Sequence, residues 1–424
     1  MHKFTNSLRV VLAAALFAGL LTGCSKKEEK RIVIWTSNSE FAPYVEYFNS
    51  THKEKAVLVY KENPAASLPP SSQDLQPDLI IGPLLRNEKT TSYFHAIDFL
   101  FDRKVISHNN FYKSLLKSGQ VHLTQYLLPV SFNLPVIIFS NDNNKLVSNS
   151  YTLSLDEIQK TGSEYNKTDK RGRYTNIGFA PQSSDEFLYT VTKIKGAAFK
   201  EGKNGTFVWN KEGLASSIAY INNWITTSNT SNQVESDFVY KYLSVTDDKR
   251  VTSGRSLFAF TTSDKLFQLS REQLAKIDFR WLENGGFIPV EDEMLMMGIY
   301  RKSKNVKGAS SFISWFYKED TQRALLEHKE KNNLEINTFG IAGGFSAIRE
   351  VNEHILPVYY TTLLSNIPQA ELFKVSEKKP VRWQAIKTKV VLPYIKDSVS
   401  TTPGKKIITL EEHYTEFKKQ RFNQ

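Results

Sequence analysis

The segment that most constrains this chain begins about thirty residues in. Ile32-Val-Ile-Trp35 is a short apolar run suited to a buried strand. Thr36 to Ser39 is a polar turn able to cap a helix, and Phe41, Tyr44, Val45 and Phe48 then recur at i, i+3, i+4 and i+7, one face of a helix. Pro43 falls in the first turn, where proline is best tolerated. Val57-Leu-Val-Tyr60 reads as the next strand. Strand, helix, strand is a βαβ unit, which calls for parallel pairing and a right-handed crossover.

What precedes this unit is an address. His2, Lys3 and Arg9 make a positive start, and Val10 to Leu21 is an apolar stretch too short for a membrane span, which needs roughly 20 residues. The stretch ends in Leu21-Thr22-Gly23-Cys24, and Lys26-Lys27-Glu28-Glu29-Lys30 follows with no stop-transfer pattern. This end resembles a bacterial lipoprotein signal. The resemblance implies cleavage after residue 23, acylation of Cys24 and a charged tether over 24–30; the plainer alternative is an ordinary secretory signal with a chance cysteine. Two or three acyl chains hold a membrane stably where one does not. Cys24 is the only cysteine, so no intramolecular disulfide is possible and the fold relies on its core. About 400 mature residues suffice for two domains of ordinary size.

The formal charge of +11 falls to +9 when Lys3 and Arg9 leave with the leader. The lysines are scattered and read as solvated surface, with attraction to anionic headgroups near the anchor as the functional alternative. No basic stretch carries the aromatic interleaving of a nucleic-acid platform.

Further along, Asn63 to Pro77 is broken by prolines and reads as a loop, and Pro77-Asp-Leu-Ile-Ile-Gly82-Pro83 as a strand ending in a sharp turn. Leu128-Pro-Val-Ser-Phe-Asn-Leu-Pro135-Val-Ile-Ile-Phe-Ser140 is two extended pieces punctuated by prolines, as a crossing between lobes would be. Ser154-Leu-Asp-Glu157 resembles a capping box. Helical faces are expected from Phe187 to Ala198, from Leu214 to Ile225, from Ala309 onward to about Lys331, and from Arg382 to Leu392, halted by Pro393. The pattern is α/β.

No catalytic constellation stands out. The eight histidines form no His-Glu-x-x-His pair, the glycine clusters lack the Lys-Ser/Thr that grips phosphate, and there is no Gly-x-Ser-x-Gly elbow. Glu291-Asp-Glu293 reads as a solvated turn, with cation binding or acid–base work as the alternative. A glycosidase is not excluded, because its two carboxylates need no fixed spacing in sequence. No cofactor or metal is expected.

Taken in order, the lipoprotein signal, the 32–35 strand, Pro77 to Gly82, Leu128 to Asn133, Gly178-Phe-Ala-Pro181, Gly254 to Phe260, Met297-Gly-Ile-Tyr300, Phe312-Ile-Ser-Trp-Phe316 and Arg382-Trp383 resemble the family-1 extracellular solute-binding proteins of ABC importers, similar to maltose-binding protein. The resemblance implies a two-lobe periplasmic-binding-protein fold of the class II type with a hinge between the lobes. One lobe would hold 31–131 and about 290–342, the other 132–289 and about 343–424. It implies a monomeric, non-enzymatic, lipid-anchored protein of the cell envelope, on the periplasmic or extracellular face, that binds a carbohydrate in the cleft and delivers it to the permease. The alternatives are another solute on the same fold, or a surface lipoprotein used in adhesion. The ligand contacts it implies are Asn38, Ser39 and Glu40; Gly82 and Pro83; Asn133; Gln182, Ser184 and Asp185; Ser263 and Asp264; Phe345; and Trp383 as a ring-stacking plate, with Trp35 either contact or core. Asn133 stands where relatives often carry an acid.

Overall fold

A computed structural model describes residues 31–148, 151–331, 338–399 and 407–420. The leader, Cys24 and the 24–30 tether lie outside the described residues.

The βαβ unit opens the chain as strand β1 (Ile32–Thr36), helix α1 (Phe41–Thr51) and strand β2 (Ala56–Tyr60), with Phe41, Tyr44, Val45 and Phe48 all buried. Strands β3 (Leu79–Gly82), β4 (Leu128–Phe132), β5 (Pro135–Ser140) and β6 (Thr152–Ser154) follow. After them come helices α2 (Leu155–Tyr165), α3 (Asp185–Thr192), α4 (Lys211–Ser228) and α5 (Asn232–Lys241). Strands β7 (Phe258–Thr262), β8 (Ile277–Glu283) and β9 (Leu295–Ile299) lead to helices α6 (Val306–Phe316) and α7 (Glu319–Lys331), then strand β10 (Phe345–Ser346). Helices α8 (Leu392–Val399) and α9 (Leu410–Gln420) close the chain.

Two sheets result. The first has the order β10-β4-β9-β3-β1-β2, with β1 parallel to β2 and β3, and β9 antiparallel to β3 and β4. The second has the order β7-β5-β8-β6. The proline-punctuated run is the first crossing: β4 lies in one sheet, β5 in the other, and Asn133 and Leu134 join them. The chain returns between β8 and β9 and crosses again after β10. Because β10 pairs with β4, the first sheet extends past the boundary near 342 expected from the sequence. Apolar side chains of both sheets join in one continuous core.

Local expectations fared unevenly. The capping box at Ser154 and Glu157 is formed, both bonds present. Residues 63–77 hold neither helix nor strand. Three helical expectations need correction. The helix from Ala309 does not run through to Lys331 but breaks at Tyr317 and Lys318 into α6 and α7. The helix through Phe187 is regular only to Thr192; Lys193–Ala197 is a wide π turn in which Gly196 takes φ 106°, a conformation that suits glycine. Pro393 does not halt its helix: Trp383–Ile386 continues through a π turn at Lys387–Val391 into α8. The wider turn gives the proline ring room against the preceding carbonyls, and proline's missing N–H then breaks no tight ladder.

Candidate functional site

The carboxyl ends of β1, β2 and β3 face the second lobe across a seam. Open α/β sheets hold their ligands beyond such strand ends. Two polar clusters fill the seam.

The first is neutral and sits at the crossings. Asn133 Nδ2 donates to the Gly343 carbonyl at 2.9 Å, and its Oδ1 accepts from Ser263 Oγ at 2.7 Å. Ser263 Oγ also accepts from the Leu134 N–H at 3.1 Å. Asn38 Nδ2 donates to the Ala342 carbonyl at 2.9 Å, its Oδ1 accepts from the Glu40 N–H at 2.9 Å, and the Ala342 N–H donates to the Tyr44 hydroxyl. Gly344 lets this loop lie against β4: a Cβ there would stand 2.6 Å from the Phe132 carbonyl. Asn38, Asn133, Ser263 and the 342–345 loop are thus brought together. Phe345 is buried beneath them, its ring 4.9 Å from Phe339, 5.6 Å from Phe132 and 5.7 Å from Trp281.

The second cluster is ionic and centres on Asp292, whose side chain is only 3% exposed. Lys193 Nζ lies 3.4 Å and Lys379 Nζ 3.7 Å from its carboxylate. The Tyr189 hydroxyl donates to it, and the Trp383 indole N–H donates at 3.1 Å. Lys193 also donates to the Val290 carbonyl at 3.1 Å, and Lys379 to that of Phe199 at 2.6 Å. Burial opposes charge on Asp292, but the two lysines and the hydrogen bonds outweigh it and hold the carboxyl well below its usual range. Burial, only partly offset by Asp292, brings Lys379 down to about 8. Burial likewise brings Arg86 down to about 10 against the pull of Asp292 and Glu377. Burial raises the flanking Glu291 and Glu293. The solvated-turn reading of Glu291-Asp-Glu293 is therefore corrected for Asp292: the chain here is turning back into the first sheet, and the second lobe packs on it.

The remaining expected contacts sit elsewhere. Trp383 is fully buried, its ring about 6 Å from Tyr189, Phe199 and Phe207 and beneath Lys379, so it offers no open plate. Trp35 is core, its indole N–H donating to the Leu75 carbonyl at 2.9 Å. Glu40 pairs with Lys329 of α7 at 2.9 Å, while Ser39 is exposed. Gly82 is buried against Pro64, whose Cγ a Cβ would approach to 3.0 Å; Pro83 is half-buried. Gln182 is tied to α5, its N–H donating to Glu235 at 2.8 Å. Ser184 caps α3 by accepting from the Phe187 N–H, and Asp185 pairs with Lys396 at 3.1 Å. Asp264, half-buried, acts on Glu293 through its charge.

Sequence reasoning missed Tyr189, Lys193, Lys379, Arg86 and Asp292 as one constellation. The available signal was Tyr189 and Lys193 at i and i+4, on one face of a helix.

No family model matches the sequence, and no curated protein sequence matches it. Solved structures match over nearly the whole chain. The sugar-binding protein of the phytopathogen Xanthomonas citri superposes with a TM-score of 0.65 at 12% identity, covering 92% of this chain and 96% of that one. An ABC substrate-binding protein of Listeria monocytogenes in complex with cycloalternan gives 0.60 at 13%, covering 93% and 100%. The galacto-N-biose-/lacto-N-biose I-binding protein of a Bifidobacterium longum ABC transporter, in complex with lacto-N-biose, gives 0.57 at 12%, covering 93% and 96%. This chain has the two-lobe α/β fold of these solute-binding proteins.

Proposed function

We propose that the chain is the solute-binding component of an ABC importer, held to a membrane by lipid on Cys24, that binds a carbohydrate reversibly between its lobes and passes it to the permease without chemical change. The observation that carries this reading is the fold: two lobes joined by three crossings, with three strand ends and their polar loops turned into one seam. The structural neighbours with this fold are binding proteins for sugars. Among the described residues no helix is long and apolar enough to cross a membrane.

The test is a thermal-shift screen of the mature chain against maltose, mannotriose and lacto-N-biose. A solute that binds only the native state at a hundred times its Kd adds about 2.7 kcal/mol and raises the unfolding midpoint by several degrees. No shift with any sugar, beside a clear shift with amino acids or polyamines, sinks the carbohydrate assignment.

A further inference from the structure

Residues 375–382 belong to no helix or strand, yet they lie along the seam, with Lys379 and Pro380 buried in it and Glu377 and Arg382 exposed at its rim. Loops normally stay outside because their backbone polar groups need water. Here the two lobes take water's place. From the first lobe, Arg86 donates to the Ser376 carbonyl at 3.2 Å and Asn63 Nδ2 to the Val381 carbonyl at 3.2 Å. From the second, the Glu201 N–H donates to the Lys378 carbonyl at 2.7 Å. Lys379, 5% exposed, points into the Asp292 cluster. Upstream, the segment is anchored where Phe373 packs 5.1 Å from Tyr112 and 5.2 Å from Phe132, and where Phe373–Lys374 pairs with Ile288–Pro289. Downstream, it is anchored by Trp383 on Asp292.

The position of the two first-lobe donors matters. Asn63 follows β2 and Arg86 follows β3, at the strand ends where this kind of sheet meets a ligand. Both spend their N–H groups on carbonyl oxygens of the chain's own backbone. A sugar hydroxyl or carboxylate oxygen is an acceptor of the same kind.

We propose that residues 375–382 are a strap that fills the seam in place of a solute, and that Asn63 and Arg86 pass from the strap's carbonyls to acceptor oxygens of the solute when the strap leaves. This rests on the solute-binding reading above. On the first-lobe side these two side-chain hydrogen bonds hold the strap's carbonyls beside the Lys379–Asp292 pair, so losing one should raise local opening roughly fivefold.

Hydrogen exchange of the mature chain followed by mass spectrometry tests this in two arms. Without sugar, Asn63→Ala and Arg86→Ala should each raise exchange of the Glu201 amide, which donates to the strap's Lys378 carbonyl, by roughly fivefold while the β5 amides stay protected as in wild type. Exchange unchanged in both variants overturns the strap. With whichever of maltose, mannotriose or lacto-N-biose shifts the melting midpoint, exchange of the Glu201 amide should rise in wild type as the strap leaves, and Asn63→Ala should weaken binding. Slower exchange there on binding makes the segment a fixed wall of the site and overturns the proposal. Should no sugar bind, the carbohydrate reading fails by itself, and the first arm still decides whether the strap is latched.

Discussion

Asp292 in the seam and Glu235 in the second lobe are both shut away from water, with opposite results. Asp292 faces two lysines and stays ionised. Glu235, with no exposed surface, faces neutral donors: the Gln182 N–H at 2.8 Å and Asn229 Nδ2 at 2.7 Å. Phe238, on the same helix, belongs to a small apolar cluster with Tyr174, Ile177 and Ala180. Burial therefore wins over the hydrogen bonds, and the carboxyl rises from 4.5 to about 7. Two good hydrogen bonds do not keep a buried carboxylate charged at ordinary pH; two cations do. The seam has been built to keep a charge in a place that repels it, whereas the Glu235 site is built around an acid that is protonated half the time near neutrality.

The largest expected effect comes from breaking the seam's side of this contrast. Asp292→Ala leaves Lys193 and Lys379 buried without their counter-charge, and should cost about 3–5 kcal/mol in urea unfolding. Adding Lys193→Met and Lys379→Met should recover much of that, because apolar groups of similar length fill the space with no charge to desolvate. A loss below about 1 kcal/mol for Asp292→Ala alone would show that the cluster is wet and that the contrast with Glu235 is not one of charge pairing.

The second effect is smaller and has a sign. Glu235 has a folded pKa above its unfolded one, so its contribution to stability is fully present below 4.5 and is lost as the pH rises through about 7. A shift of that size corresponds to about 3 kcal/mol across the window. Asp292 slopes the other way: its contribution is present above the ordinary 3.8 and is lost as the pH falls. Glu235→Gln removes the titration, at a pH-independent cost from setting its NH2 against one of the two N–H donors. Its unfolding free energy minus that of wild type should therefore move by about 3 kcal/mol in favour of the variant between pH 4 and pH 8. A difference that stays flat between pH 4 and 8 would mean that Glu235 is ionised throughout, as Asp292 is.

The two sites also mark where the sequence could be read and where it could not. The strands Ile32–Thr36 and Leu79–Gly82, helix α1 and the β4–β5 crossing were legible because their signals are local: apolar runs, a helical face, prolines at the edges. Asp292 was not. A Glu-Asp-Glu triplet beside a proline looks like a solvated turn until Lys193, 99 residues before Asp292, and Lys379, 87 residues after it, close on it. Trp383 misled for the same reason: a ring at a plausible place says nothing about whether Tyr189, Phe199 and Phe207 cover it. Asn38, Asn133 and Ser263 were expected together as ligand contacts, and the structure does bring them together. Their present partners, however, are one another and the backbone of residues 342–343.

Asn133 extends the comparison to a polar group that is neither charged nor misplaced, and it gives the smallest of these effects. Its amide does two jobs at two separate atoms: Nδ2 donates to the Gly343 carbonyl while Oδ1 accepts from Ser263 Oγ. An acid at this position keeps the second bond and turns the first into a carboxylate oxygen facing a carbonyl oxygen 2.9 Å away. Asn133→Asp should therefore cost about 1–3 kcal/mol at pH 8, most of it regained as the pH falls and the acid can donate a proton to Gly343. Asn133→Ala should cost about 1 kcal/mol with no pH dependence, since it removes both bonds and adds no charge. If Asn133→Asp instead matches wild type at pH 8 and binds sugar more tightly, the amide is not a strut of the crossing. It would then be a contact to the ligand.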